Sequence, residues 1–249
     1  MVTGASRGLG LQMARALARA GADLVITARD VSSLSDACQE LEAFGRRIEP
    51  LPLDLRHEDS IQSAIAQATS AGALDILVNN AGIFCASDPV ADMPEAEWQR
   101  SLDINLTGAM HVARESIPYL RLGWEPSVIM VGSKNVPAPG PAAGAYSVAK
   151  AGLTQLARVL ALELAADGIR VNTLHPNAVF DTAIWTDEVL EGRAAHYGMS
   201  VEDYRRSNLL RQEVTSADVA AMVCAMAGAA FRCTTGAQLP IDGGNERVV

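Results

Sequence analysis

The chain has 249 residues with 20 basic and 29 acidic side chains, a net charge of −9, and 49% hydrophobic residues. A chain of this length and composition buries a sizeable core without disulfides or metals, which excludes general disorder. It is acidic and carries no run of Lys or Arg longer than two residues, so it offers no basic face for a phosphate backbone, and nucleic acid is excluded as a partner.

From the N-terminus, residues 9–19 form an amphipathic helix stopped at Gly21, residues 24–27 a strand, and residues 32–44 a second helix stopped at Gly45. Residues 74–78 form the next strand. From residue 95 to 119 the apolar positions Leu102, Leu106, Ala109, Ala113 and Ile117 step by 4, 3, 4 and 4, which predicts one long helix. A strand at 128–131 and a second long helix at 145–165 follow, the latter striped by Leu153, Leu156, Leu160 and Leu164. Strands at 169–174 and 238–241 complete the pattern. The uncharged stretch 219–231 is shorter than the ~20 residues of a membrane-spanning helix and reads as a buried helix, so no bilayer crossing is expected.

Strands alternating with helices predict an α/β fold, a doubly wound parallel sheet of Rossmann type. No repeat or linker divides it, so residues 1–249 are read as a single domain. The region 177–214 is longer than such connections require and contains Trp185, His196, Tyr197 and Tyr204, which makes it a candidate substrate loop. Its arginines 193, 205, 206 and 211 lie among Glu191, Glu202 and Asp203 and read as a solvated face or as a clamp for an anion. The N-terminus MVTGASRGLG has no apolar run or cleavage site, which leaves a cytoplasmic location as the default. Cys38, Cys85, Cys224 and Cys233 are scattered singly, so neither a metal site nor a disulfide framework is expected; all four read as reduced fillers.

Thr3-Gly4-Ala5-Ser6-Arg7-Gly8-Leu9-Gly10 lies directly before the first helix. Glycines there let backbone amides and the helix dipole approach a pyrophosphate, although tight turns use glycine for steric reasons as well. Asn79-Asn80-Ala81-Gly82 closes the strand at 74–78, Ser133 closes the strand at 128–131, and Tyr146 and Lys150 stand four apart on one face of the long helix. Among the 20 basic residues, lysine occurs only at 134 and 150. A compact ammonium can touch a ribose hydroxyl and act on a neighbouring phenol as a point charge, which a planar guanidinium cannot.

Taken together, TGASRGLG, NNAG, a helical Asn105, Ser133 and YxxxK resemble the short-chain dehydrogenase/reductase family, from residue 3 through Ile241-Asp242-Gly243-Gly244. The resemblance implies an NAD(P)(H)-dependent oxidoreductase that interconverts a carbonyl and an alcohol by hydride transfer. It implies Tyr146 as general acid/base, Lys150 as the group that tunes it and holds the nicotinamide ribose, Ser133 on the substrate oxygen, and Asn105 holding a water in a proton relay. A free phenol titrates near ~10, so work near neutrality requires lowering it by ~2 to 3 units, about 3 to 4 kcal/mol. Lys150 and an oxidised nicotinamide are the expected sources.

By the same resemblance the coenzyme lies along Gly4, Ser6, Arg7, Gly8, Leu9, Gly10, Asn80, Ala81, Gly82, Tyr146 and Lys150. Asp54 and Leu55 are expected at the adenine, and Pro176, Val179 and Thr182 at the nicotinamide end. The strand at 24–27 is followed by Ala28-Arg29-Asp30. A carboxylate at the place of Ala28 would favour NAD, whereas Arg29 and Arg7 suit the 2′-phosphate of NADP. NADP is the expected cofactor, NAD the alternative, with Asp30 the residue able to reverse the choice.

Two departures from the family pattern stand out. Only Met1 and Val2 precede the glycine motif, where a central first strand is expected, which suggests a truncated start or a domain of a longer chain. The usual Pro-Gly is Pro176-Asn177, and threonine falls six residues after the proline, at Thr182, with Asp181 in its expected place. Segments 132–135, 175–182, 184–185 and 234–237 resemble the dehydrogenase portion of bifunctional aldolase/short-chain dehydrogenases, which implies a small hydroxyaldehyde, sugar or ketone as substrate. The alternatives are a 3-oxoacyl reductase-like activity or a coenzyme-binding sensor or scaffold without turnover. The family's habit implies a homodimer or homotetramer.

Overall fold

The computed structural model describes residues 1–70, 72–85 and 88–244. Six strands, β1 Leu24–Ala28, β2 Ile48–Pro52, β3 Ile76–Asn79, β4 Ser127–Val131, β5 Arg170–Pro176 and β6 Gln238–Ile241, pair in parallel as β1-β2 and β3-β4-β5-β6. Val2 joins the two groups by bridging Ile26 on one side and Val78 on the other. Its N–H donates to Val25 O at 2.9 Å, while Thr3 N–H donates to Val78 O at 3.0 Å. Residues 1–3 therefore occupy the centre of one continuous sheet, the place where a first strand is expected.

Helices α1 Gly8–Arg19, α2 Ser35–Glu42 and α9 Ser216–Ala227 cover one face. There Met13, Leu17, Leu41, Val219, Val223 and Met226 pack on Ile26, Val78, Ile129 and Leu174. Helices α3 Glu58–Ala68, α5 Ala109–Leu120 and α6 Gly144–Glu163 cover the other, where Ile61, Ile65, Val112, Leu120 and Leu153 pack on Leu77, Val128 and Met130. Alternate residues of β4 serve the two cores, and all five are buried, as expected of a parallel strand covered on both faces. Among the described residues no helix is long and apolar enough to cross a membrane.

The expected elements are present with shifted ends, and four were not read from the sequence: β2, α3, α7 Asp187–His196 and α8 Val201–Arg205. Strand β2 reads Ile-Glu-Pro-Leu-Pro, which looks like a loop. It is an edge strand, and Leu53 N–H donates to Ala28 O, so Pro50 and Pro52 have the parity whose N–H would face the open edge, where none is needed. The helix predicted at 32–44 divides into a 3₁₀ turn, Val31–Leu34, and α2. The helix predicted at 95–119 runs as α4 Glu95–Leu102, a π-helical segment Asp103–Gly108, and α5. The region 177–214 is not an open loop: it holds α7 and α8. Cys233 is exposed, so it is no packing filler, whereas Cys85 is buried.

Candidate active site

The carboxyl ends of β3, β4 and β5 and the first turns of α1 and α6 converge on one edge of the sheet. The glycine turn is built by the residues around it. Thr3 Oγ1 accepts from the N–H groups of Asn80 and Ala81, both at 2.9 Å, and Asn80 Nδ2 donates to Thr3 O at 2.8 Å. Asn80 thus ties β3 to the turn. Gly4 and Gly8 have φ of +68° and +57°. Gly10 has a different task, because a Cβ there would lie 2.1 Å from Gly4 O. Only hydrogen lets α1 approach the turn so closely.

These residues fit a dinucleotide. Helix α1 starts from an extended Arg7 with no side chain capping its first N–H groups and no acid in its first turn, and a Cβ at Gly8 would meet nothing within 4 Å. Unpaired helix N–H groups facing open space favour a phosphate. Arg7 and Arg29 are exposed and form no ion pair among the described residues. The Asp30 carboxylate accepts from Ser32 N–H at 2.9 Å, capping the 3₁₀ turn, and the Ser32 hydroxyl together with that N–H holds it below the usual carboxylate range. Asp54, just past β2, pairs with Arg56, whose hydrogen bonds hold it down to about 2. Leu55 turns its side chain into the core, and its carbonyl packs closely against Gly108.

At the other end of the edge, the Tyr146 phenol lies beside the Ser133 hydroxyl. Ser133 Oγ accepts from Asn135 N–H at 3.1 Å. Lys150, one turn along α6, is buried and donates from Nζ to Val131 O at 2.8 Å, with the ammonium 5.9 Å from the centre of the Tyr146 ring. Burial lowers the Lys150 ammonium to about 8. For Tyr146, burial pushes the phenol up and the Ser133 hydroxyl offsets part of the rise. The protein alone therefore does not lower the phenol, contrary to what a lysine neighbour suggests. Its ammonium is oriented on the Val131 carbonyl, and desolvation dominates.

Asn105 lies inside the π-helical segment and is fully buried. Its Oδ1 accepts from Ile83 N–H at 2.9 Å, and its Nδ2 donates to Ile83 O at 3.0 Å. The side chain thus clamps the chain just past Gly82, where a Cβ would meet Asn105 Oδ1 at 2.7 Å and Lys150 Nζ at 3.6 Å. The expected relay would have to use the Asn105 main chain.

Past Pro176, the last residue of β5, the extra residue of this connection is absorbed by Ala178 in the left-handed region at φ +46°. Asp181 is drawn to α9, accepting from Ser216 N–H at 2.9 Å and Ser216 Oγ at 2.6 Å. Thr182 Oγ1 donates back to Val179 O at 2.8 Å, and Val179 is buried in the core. Phe180, Trp185, Tyr204 and Tyr197 form a run of ring contacts with centroids 4.8 to 6.3 Å apart, so Trp185 packs rather than projects. Arg206 pairs with Glu202 and Arg205 with Glu213, as a solvated face would.

Three neighbours of the site were not read from the sequence: His175, Gln238 and Phe84. His175 is buried at the end of β5 against Ser133, with Gln238 of β6 behind it. Phe84 is 45% exposed and lies 4.9 Å from the Tyr146 ring. His175 and Phe84 look in sequence like ordinary apolar-segment residues, and no spacing marks them.

Residues 4–246 match the family described as Enoyl-(Acyl carrier protein) reductase. YuxG, an uncharacterized oxidoreductase of Bacillus subtilis (strain 168), is 34% identical over 98% of this chain, which spans 37% of that protein's length. The (−)-trans-carveol dehydrogenase of Rhodococcus erythropolis is 31% identical over 98% of this chain and 95% of its own. Among solved structures, carveol dehydrogenase of Mycobacterium avium in complex with NAD has a TM-score of 0.88 at 27% identity, covering 98% of this chain and 95% of that one. An actinorhodin polyketide ketoreductase variant with NADPH has a TM-score of 0.86 at 27% identity, covering 97% and 94%. With its Rossmann-type sheet and these relatives, the chain is an oxidoreductase belonging to the short-chain dehydrogenase/reductase family.

Proposed function

We propose that this protein interconverts a small carbonyl compound and its alcohol, with Tyr146 as the proton-transferring group, Ser133 holding the substrate oxygen, and Lys150 orienting the coenzyme. The observation that carries this reading is the convergence of Tyr146, in the first turn of α6, and Ser133, just past the end of β4, with the buried Lys150 ammonium 5.9 Å from the Tyr146 ring. A carbonyl oxygen bridging both hydroxyls is polarised by Ser133 and receives the Tyr146 proton; in the alcohol direction Tyr146 takes that proton back. A bound nicotinamide coenzyme supplies or takes the hydride.

NADP(H) is the coenzyme of this reading. Its support is the pair of exposed arginines 7 and 29, without carboxylate partners among the described residues, together with the engagement of Asp30 in capping a helical turn. Gly4, Ser6, Gly8, Leu9 and Gly10 hold the pyrophosphate, and Asn80, Ala81 and Gly82 shape the wall opposite. Asp54 and Leu55 meet the adenine; Pro176, Val179 and Thr182 line the nicotinamide end. The substrate is a small hydroxyaldehyde, sugar or ketone admitted beneath residues 177–214. The reading includes a longer protein in which an aldolase unit accompanies this one; the greater length of YuxG supports the longer protein. A homo-oligomer is part of the reading, supported by the exposed Val148, Val159 and Leu162 along one stripe of α6. So is a cytoplasmic location, which fractionation of the native host tests.

The test is fluorescence titration with NADPH and NADH, then turnover on ketones, 2-hydroxyaldehydes and aldoses. Tyr146→Phe should bind coenzyme normally and lose turnover by about 10² to 10⁴-fold. Coenzyme binding with no turnover on any substrate would favour a sensor instead.

A further inference from the structure

We propose that His175 is a positioning residue for this reaction, a neutral imidazole in β5 that anchors the Ser133 main chain and thereby holds the Ser133 hydroxyl against Tyr146. The proposal rests on the reading of Ser133 and Tyr146 given above. Past the end of β4, Gly132 N–H donates to Leu174 O at 2.7 Å and Lys134 N–H to Pro176 O at 3.1 Å, so the ladder to β5 continues on either side of Ser133. The Ser133 N–H between them points elsewhere, to His175 Nδ1 at 3.2 Å.

Donor and acceptor accounting selects the tautomer. Nδ1 also lies 3.0 Å from Ser133 O, and that carbonyl has a lone pair to spare beside the one that takes Val136 N–H, so the choice is made at the other ring nitrogen. The other ring nitrogen, Nε2, faces Gln238 Oε1 at 3.3 Å and is the donor of that pair. The ring is therefore protonated at Nε2 and accepts at Nδ1, and each hydrogen bond supports the other. Gln238 sets the tautomer, and the tautomer determines what the ring offers Ser133. The packing leaves no slack: a Cβ at Gly132 would lie 2.6 Å from Nδ1. Burial pushes the ring below its ordinary titration range, and the Lys150 ammonium acts in the same direction.

Three variants of the full chain and one spectrum test this. His175→Leu removes the acceptor, His175→Asn keeps a carbonyl oxygen near the place of Nδ1, and Gln238→Leu removes the partner that selects the tautomer. Expected for His175→Leu is a fall in kcat of about tenfold or more with NADPH affinity unchanged, and for His175→Asn partial recovery. Nitrogen-15 spectra of the wild type should show His175 protonated at Nε2 between pH 7 and 9, and Gln238→Leu should redistribute it. A His175→Leu protein that binds coenzyme and keeps kcat within twofold overturns the proposal, as does a wild-type ring protonated at Nδ1. Should His175→Leu not fold, the Gln238→Leu turnover and the wild-type spectrum decide. Failure of the underlying reading looks different, because Tyr146→Phe and Ser133→Ala would then also retain turnover.

Discussion

Gly10→Ala is the substitution in the glycine motif with the most direct structural penalty. Its Cβ would stand 2.1 Å from Gly4 O, 2.8 Å from Gly4 C and 2.8 Å from Asn80 Nδ2. A carbon and a carbonyl oxygen rest at about 3.3 Å, so α1 or the turn must yield by roughly 1.2 Å. The obstructing atoms are backbone, and Asn80 is held by Thr3 and cannot swing away cheaply. Overpacking of this kind costs about 3 kcal/mol, which for a domain of this size lowers Tm by about 6 to 12 °C. The same shift moves the first-turn N–H groups of α1, and displacement of this order weakens coenzyme binding by up to about 10²-fold. Gly8→Ala is the control: its space is open and only the left-handed φ of +57° is strained, at about 1 kcal/mol. Differential scanning calorimetry compares the two variants, and NADPH titration compares Gly10→Ala with the parent. If Gly10→Ala melts within about 2 °C of the parent and binds coenzyme within threefold, the close approach of α1 is not what builds the cradle, and the reasoning fails.

Other outcomes follow from the same contacts. Lys150 is lowered from 10.5 to about 8, so between those values the unfolded chain binds more protons and stability rises with pH. Below pH 8 the buried cation costs about 3 kcal/mol, so the stability of Lys150→Met relative to wild type should fall steadily from pH 8 to 10.5 in denaturant titrations; a flat difference would contradict it. Arg29→Ala should weaken NADPH by about 10 to 100-fold and NADH by less than threefold, since it removes one charge-assisted bond to a group only NADPH has; equal losses would end the NADP assignment. Ala178→Gly should stabilise the protein by about 0.5 to 1 kcal/mol, because it relieves φ +46° while enlarging the unfolded ensemble. A lower Tm would mean that the Ala178 side chain contributes packing that exceeds its strain.

What could be read from the chain alone was whatever is coded locally. Helix stops at Gly21 and Gly45 require a positive φ and have it, at +102° and +70°. The 4 and 3 steps through residues 102–117 marked a helix, and the Tyr146 and Lys150 spacing placed two side chains on one face before any sheet was known. Periodicity could not show the π-helical segment at Asp103–Gly108, because one extra residue in a turn leaves the apolar stripe nearly in register. Nor could composition reveal β2, since two prolines are tolerated only by a strand whose far edge is open, and edge position is a property of the finished sheet.

The same division runs through the site. Glycines, the Asn80 motif, Ser133, Tyr146 and Lys150 announce themselves because each belongs to a short segment with its own signature. His175 does not, because a histidine between Leu174 and Pro176 acquires meaning only when β5 is laid beside β4 in the register that pairs Val131 with Leu174. Asp30 and Asp181 were ambiguous for a related reason: a carboxylate goes to the nearest unpaired N–H, and only the tertiary structure shows that for Asp30 it belongs to Ser32 and for Asp181 to Ser216 at the start of α9. Sequence specifies which groups can donate, accept or bend, while packing decides which of them meet. Contacts between residues far apart along the chain are therefore the part that only the fold could supply.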